Sequence, residues 1–200
     1  SNSIYAPDDG DIVSMILEFM RDNKLAAESQ IFLRPYPACV KDHKKFDIFE
    51  TEPRVYIDWI EPQKIFPHNG NRWISTFDSL VHFMNLMYHS DIVINTYSSI
   101  GIDASVFLKP VININFDGYK KRPLKESVKK GQYLSHYQHV IKTGGIKLVH
   151  SKNELLRALN KFLEHPNSNE KSILKLREKI CWKVDGNASR RIADHVLSSL

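Results

Sequence analysis

Two hundred residues with 42% hydrophobic side chains can bury a substantial core, enough for one large or two small globular domains. No window approaches the about eighteen uninterrupted apolar residues of a membrane span, and the start SNSIYAPDDG lacks the basic flank and apolar core of a secretory signal. The net charge of +5, with a pI near 9.1, is too mild to mark a nucleic-acid binder and favours an anionic ligand or surface. Cys39 and Cys181 stand far apart without metal or disulfide spacing, as expected in a reducing compartment, so the expected location is the cytoplasm.

Along the chain, strands and helices alternate. SIYA reads as a short strand at 4–6, and GDIVSMILEFMRDN places Ile12, Met15, Ile16 and Phe19 at helical spacing. QIFLRPYP is a strand near 30–34 stopped by proline, and RVYIDW is a second β-rich run near 54–58. In TFDSLVHFMNLMYHS, Leu80, Phe83, Met84, Met87 and Tyr88 share one helical face. A strand at 92–95, a short helix and a strand at 111–115 follow, then an irregular basic stretch and a last strand at 146–149. Three helical segments close the chain from about Asn153. Near-continuous apolar strands bounded by helices predict an α/β fold, a Rossmann-like parallel sheet covered by helices on both faces.

In such sheets ligands bind beyond the carboxyl ends of the strands, which directs attention to DIVINTYSSIGIDASVFLKPVININF, residues 91–116. Ser98 and Ser99 follow a strand and open a helix, so their hydroxyls and the first free N–H groups can meet a phosphate. Asp103 lies about one turn further on, where it can accept from a ribose hydroxyl. The same residues also suit plain helix architecture, with a serine cap and a carboxylate favoured by the dipole.

Other clusters have a bland and a functional reading. Asp8, Asp9 and Asp11 include an Asp-x-Asp but precede an amphipathic helix, where aspartate is the ordinary cap and first-turn residue. His136 and His139 have i, i+3 spacing without further metal ligands nearby, so they are candidate ligand-facing histidines and no metal site is expected. GYKKRPLKESVKK sets Lys120, Lys121, Arg122, Lys125, Lys129 and Lys130 against Glu126 alone. It is either a solvated mobile loop or a basic edge facing phosphates, with Tyr119, Tyr133 and Tyr137 free to stack on a base. No nucleic-acid-binding motif accompanies the charge.

SDIVINTYSSIGIDASVFLKPVININFD resembles the nucleotide-binding half of GT-B glycosyltransferases, nearest to the CDP-glycerol glycerophosphotransferase-like enzymes of wall-polymer synthesis. IFLRPYP is similar to that family's Arg-Pro-His-Pro strand end, and the stretch from GGIKLVH to the end resembles its tail. The resemblance implies a single Rossmann-like domain over 1–200 that is the C-terminal half of a larger enzyme, with a missing N-terminal domain supplying the rest of the cleft. It implies a donor activated by a nucleoside diphosphate of CDP or UDP type, transferred without metal or other cofactor, an anionic acceptor or membrane surface, and a peripheral position at the inner face of the membrane. The implied substrate-binding residues are Arg34, Tyr97, Ser98, Ser99, Asp103, His136 and His139, with no catalytic base identified. Tyr36 stands where the family has histidine and cannot act as a cationic or basic group near neutral pH. A sugar-nucleotide 2-epimerase-like domain and a non-catalytic nucleotide- or sugar-binding module are the alternatives.

Overall fold

The computed structural model describes residues 6–36, 40–59 and 76–199, without the side chains of 40–43. Of the strand expected at 4–6 only Ala6 falls among them, and Cys39 lies outside them. β1 (Ile31–Leu33) pairs in parallel with β2 (Val55–Ile57), Phe32 standing opposite Tyr56. β3 (Val93–Asn95), β4 (Val111–Ile114) and β5 (Ile146–Val149) form a second parallel ladder in the order β3-β4-β5. The sheet expected as one therefore takes the form of two ladders among the described residues. Ala6, the end of the strand expected at 4–6, is buried and shares a small cleft with Thr96, just past β3.

Strand parity decides which helices cover each face. β4 is buried throughout, and alternate side chains enter opposite layers. Ile112 and Ile114 join Val149 in a core built with α1 (Asp9–Arg21) and α5 (Lys152–Glu164), against which Ile31, Leu33, Val55 and Ile57 also pack. Val111 and Ile146 face the other layer, made by α2 (Phe77–His89), α3 (Ile100–Val106), α4 (Ser135–Ile141) and α6 (Glu170–Cys181) through Met87, Ala104, Tyr137, Val140 and Leu176. Helices thus cover both faces of a parallel α/β core.

The local sequence explains the individual helices. In α1 all four expected residues, Ile12, Met15, Ile16 and Phe19, are buried. α5 starts on a reciprocal cap in which Ser151 Oγ accepts from Glu154 N–H and the Glu154 carboxylate accepts from His150 N–H. Its stripe of Leu155, Ala158, Leu159 and Phe162 is buried. α2 departs from expectation, because Met87 is buried while Leu80 and Tyr88 stay exposed. The helix presents only part of its apolar face to α3 and to the ends of β1 and β2. α7 (Ala188–Ser198) buries none of its residues. Two 3-10 helices, Val40–Phe49 and Val128–Tyr133, complete the elements, the first contributing buried Phe46 and Phe49. Among the described residues no helix is long and apolar enough to cross a membrane.

Candidate functional site

The chain leaves β3 through Thr96 and turns sharply at Tyr97, whose φ of 47° is in the left-handed region that side chains rarely adopt. Three contacts hold it there. Its N–H donates to Asn113 Oδ1 at 2.7 Å, its hydroxyl donates to Asn115 Oδ1 at 2.6 Å, and its ring lies on Gly131, where an added Cβ would stand 2.2 Å from Tyr97 Cδ2. Strain of this kind persists only where surroundings over-determine it, and it gathers at functional turns. The Tyr97 hydroxyl is kept protonated far beyond neutral pH by burial, with Tyr137 and Tyr133 adding to the effect.

Beyond that bend lie Ser98 and Ser99. Ser98 Oγ accepts from Ile100 N–H at 3.3 Å, and the Ser98 carbonyl accepts from the Tyr137 hydroxyl at 3.4 Å. Ser99 occupies the cap position of α3, is exposed, and makes no side-chain cap bond. The architectural task therefore falls to Ser98, and the Ser99 hydroxyl faces outward. α3 is only seven residues long, so its dipole is small and any anion here depends on hydroxyl and N–H groups instead. Gly101 lets α3 sit close on the sheet, since a Cβ there would lie 2.8 Å from Ile146 Cδ1 and 3.0 Å from Asn95 Nδ2. Asp103 is half-buried one turn beyond Ser99. Desolvation raises its pKa above the ordinary carboxylate value, and its charge in turn raises that of Cys181 at the end of α6, after burial of the thiol itself.

Asn115 gathers the ends of all three strands of this ladder. Besides the Tyr97 hydroxyl, it meets Gln132 Oε1 at 3.2 Å and His150 Nδ1 at 2.9 Å through its Nδ2. Asn113, Asn115, Gln132 and His150 were not among the expected site residues. The alternation in VININF could have found the first two, because parity puts both asparagines on the Val111 face of a buried strand.

Next to this turn is a small, open cleft between the start of α1 and the ends of β3 and β4, lined by Asp8, Asp9, Thr96, Asp117 and Gly118 among others. Its carboxylates are engaged. Asp8 occupies the cap position of α1 but makes no side-chain cap bond, taking Arg122 in a two-pronged pair at 2.5 and 2.7 Å instead. Asp9 pairs with Lys45 at 2.6 Å, and Asp11 accepts from Tyr119 N–H at 2.9 Å. Asp117 accepts from Ser127 Oγ at 2.7 Å and from the N–H groups of Val128 and Arg122, both at 3.2 Å. The basic stretch is thus clasped to the body of the domain at several points.

The remaining expected residues lie apart from the turn. Arg34, just past β1, pairs with Asp58, just past β2, and lies over the Phe83 ring at 5.2 Å, so its guanidinium serves a carboxylate that His82 also approaches. Tyr36 is exposed. His136 and His139 lie on the exposed side of α4, opposite buried Tyr137 and Val140. Of the three tyrosines free to stack, Tyr137 is core and Tyr119 donates to Glu18, while Tyr133 is exposed. The structure therefore brings Tyr97, Ser98, Ser99 and Asp103 together and sets Arg34 among the ends of the other ladder.

A family model described as CDP-Glycerol:Poly(glycerophosphate) glycerophosphotransferase matches residues 61–198. No curated protein and no solved structure gives a significant match.

Proposed function

The chain belongs to the CDP-glycerol:poly(glycerophosphate) glycerophosphotransferase family, and on that premise we propose that it is the donor-binding half of a transferase of wall-polymer synthesis. The turn at Tyr97, Ser98 and Ser99 receives the diphosphate of a CDP- or UDP-activated donor, and Asp103 accepts from a ribose hydroxyl. The observation that carries this reading is the turn itself: a left-handed Tyr97 fixed by Asn113 and Asn115 at the carboxyl edge of a parallel sheet, presenting an uncommitted Ser99 hydroxyl.

Such a turn stabilises negative charge on phosphate oxygens by donated hydrogen bonds already aimed before reaction. With a CDP-glycerol donor, the acceptor hydroxyl attacks the glycerol-bearing phosphorus, the P–O–P bridge breaks and CMP leaves. With a glycosyl donor, the nucleoside diphosphate leaves instead. In either case the acceptor proton goes to a base, which this reading places in a companion N-terminal domain forming the other wall of the cleft. The enzyme would work at the inner face of the membrane, where an anionic acceptor is presented.

Calorimetric titration of CDP, UDP and CMP into the chain tests the proposal. The expected result is saturable binding with Kd of about 1 mM or tighter, the diphosphates binding better than CMP. No heat from any of the three up to several times that concentration would remove the donor site from this domain.

A further inference from the structure

His150 follows β5 directly and is exposed, yet both its backbone and its ring are held. The backbone N–H donates to the Glu154 carboxylate at 2.9 Å, and ring Nδ1 meets Asn115 Nδ2, also at 2.9 Å. Asn115 is only 2% exposed, so the ring is fixed from inside the domain. An exposed side chain is ordinarily free to change rotamer, and holding one still costs conformational entropy.

Asn115 accounts for one ring nitrogen and leaves the other. Nδ1 stands at the buried amide, where Gln132 Oε1 lies 3.2 Å from the same Nδ2. Nε2, on the opposite edge of the ring, has no partner among the described residues. The Oδ1 of that amide takes the Tyr97 hydroxyl at 2.6 Å, so a single buried side chain sets both the turn after β3 and the His150 ring.

β4 lies between β3 and β5, so the Ser98–Ser99 turn and His150 stand at the carboxyl ends of the two strands that flank Asn115. A ligand seated on the turn and reaching across the strand ends meets His150 two strands away, about 10 Å on. Asp103 takes the ribose end in the donor reading, which leaves His150 for the opposite end of the diphosphate.

We propose that His150 is a substrate-contacting residue of the donor site, donating through Nε2 to the phosphate that carries the transferred group. The proposal rests on the transferase reading above. A phosphate oxygen accepts, so the contact requires a proton on Nε2, and an amide NH2 group beside Nδ1 favours that form of the ring. Held in place before the ligand arrives, the imidazole stabilises negative charge on the phosphate under attack without reorganising.

The test is calorimetric titration of CDP and CMP into the 200-residue chain and its His150→Asn variant at about pH 8, where a free imidazole is mostly neutral. Asparagine carries its amide at the position of Nδ1, so it can still meet Asn115, and it has nothing at the position of Nε2. In His150→Asn the affinity for CDP should fall at least about tenfold and that for CMP less than about twofold, while the melting point stays unchanged. The inference is overturned if the variant keeps the wild-type preference for CDP over CMP. It is also overturned if the variant loses both nucleotides equally, which would make His150 a support of the turn alone. Imidazole 15N shifts that put the wild-type ring proton on Nδ1 would overturn it as well. Failure of the donor reading shows separately, as the absence of CDP binding by wild type.

Discussion

The N–H of Tyr97 donates to Asn113 Oδ1 across two neighbouring strand ends, so the bend after β3 is held by a side chain of β4 that is itself fully buried. Replacing Asn113 by Ala leaves a left-handed residue without its main support. The expected cost is about 1–3 kcal/mol, equivalent to a melting point lowered by at least about 2 °C in a domain of this size. Urea unfolding and thermal melts measure it. A variant as stable as wild type would show that the bend is held by other contacts.

Gly131 and Tyr97 form the second constraint on the same bend. Gly131→Ala introduces a Cβ at 2.2 Å from the ring, which must move and give up the Asn115 bond, at a cost of about 1–3 kcal/mol. In a Tyr97→Ala background the clash is gone, so the same substitution should cost little. A double-mutant cycle by urea unfolding reads the coupling, and additive effects would contradict the contact.

Asp103 makes stability depend on pH in a defined direction. Its folded pKa is raised by burial, so between the ordinary carboxylate value and the raised one the folded chain binds more protons than the unfolded chain. Stability from this group is therefore lost as pH rises through that window. Asp103→Asn should melt higher than wild type at pH 7, and the difference should shrink below about pH 4. Equal differences at both pH values would mean that the charge is not what matters.

Arg122 and Lys121 are adjacent basic residues with opposite expectations. Arg122→Ala leaves Asp8, only 13% exposed, without its two-pronged partner and should lower the melting point clearly. Lys121→Ala removes an exposed side chain and should stay within about 0.5 kcal/mol. Similar losses in both variants would contradict the clasp.

The layers of this fold were readable because apolar spacing is a local property. The buried face of α1, the run VINI in β4 and the closing helices all follow from periodicity along the chain. The Ser98–Ser99 bend was readable too, since a strand-to-helix junction has its own composition. What supports the bend was readable only in part: parity in VININF marks Asn113 and Asn115, but Gln132 and His150 come from two other segments and meet Asn115 only after folding. Arg34 shows the same limit: a guanidinium suits a phosphate or a carboxylate equally, and only the pairing of β1 with β2 brings Asp58 beside it. The 3-10 helix at Val40–Phe49 escaped notice because its sequence is highly charged, with Phe46 and Phe49 as the deeply buried anchors among its described side chains.

Ser99 decides the central claim, because it is exposed and makes no cap bond, so its hydroxyl has no architectural task to confuse the result. The measurement is calorimetric titration of CDP and UDP into wild type and Ser99→Ala, with thermal melts of both. Loss of one donor to a charged phosphate oxygen should cost about 1.5–3 kcal/mol, roughly ten- to a hundredfold in affinity, while the melting point stays unchanged. Unchanged nucleotide affinity in Ser99→Ala would contradict the account and leave the turn after β3 as helix architecture alone.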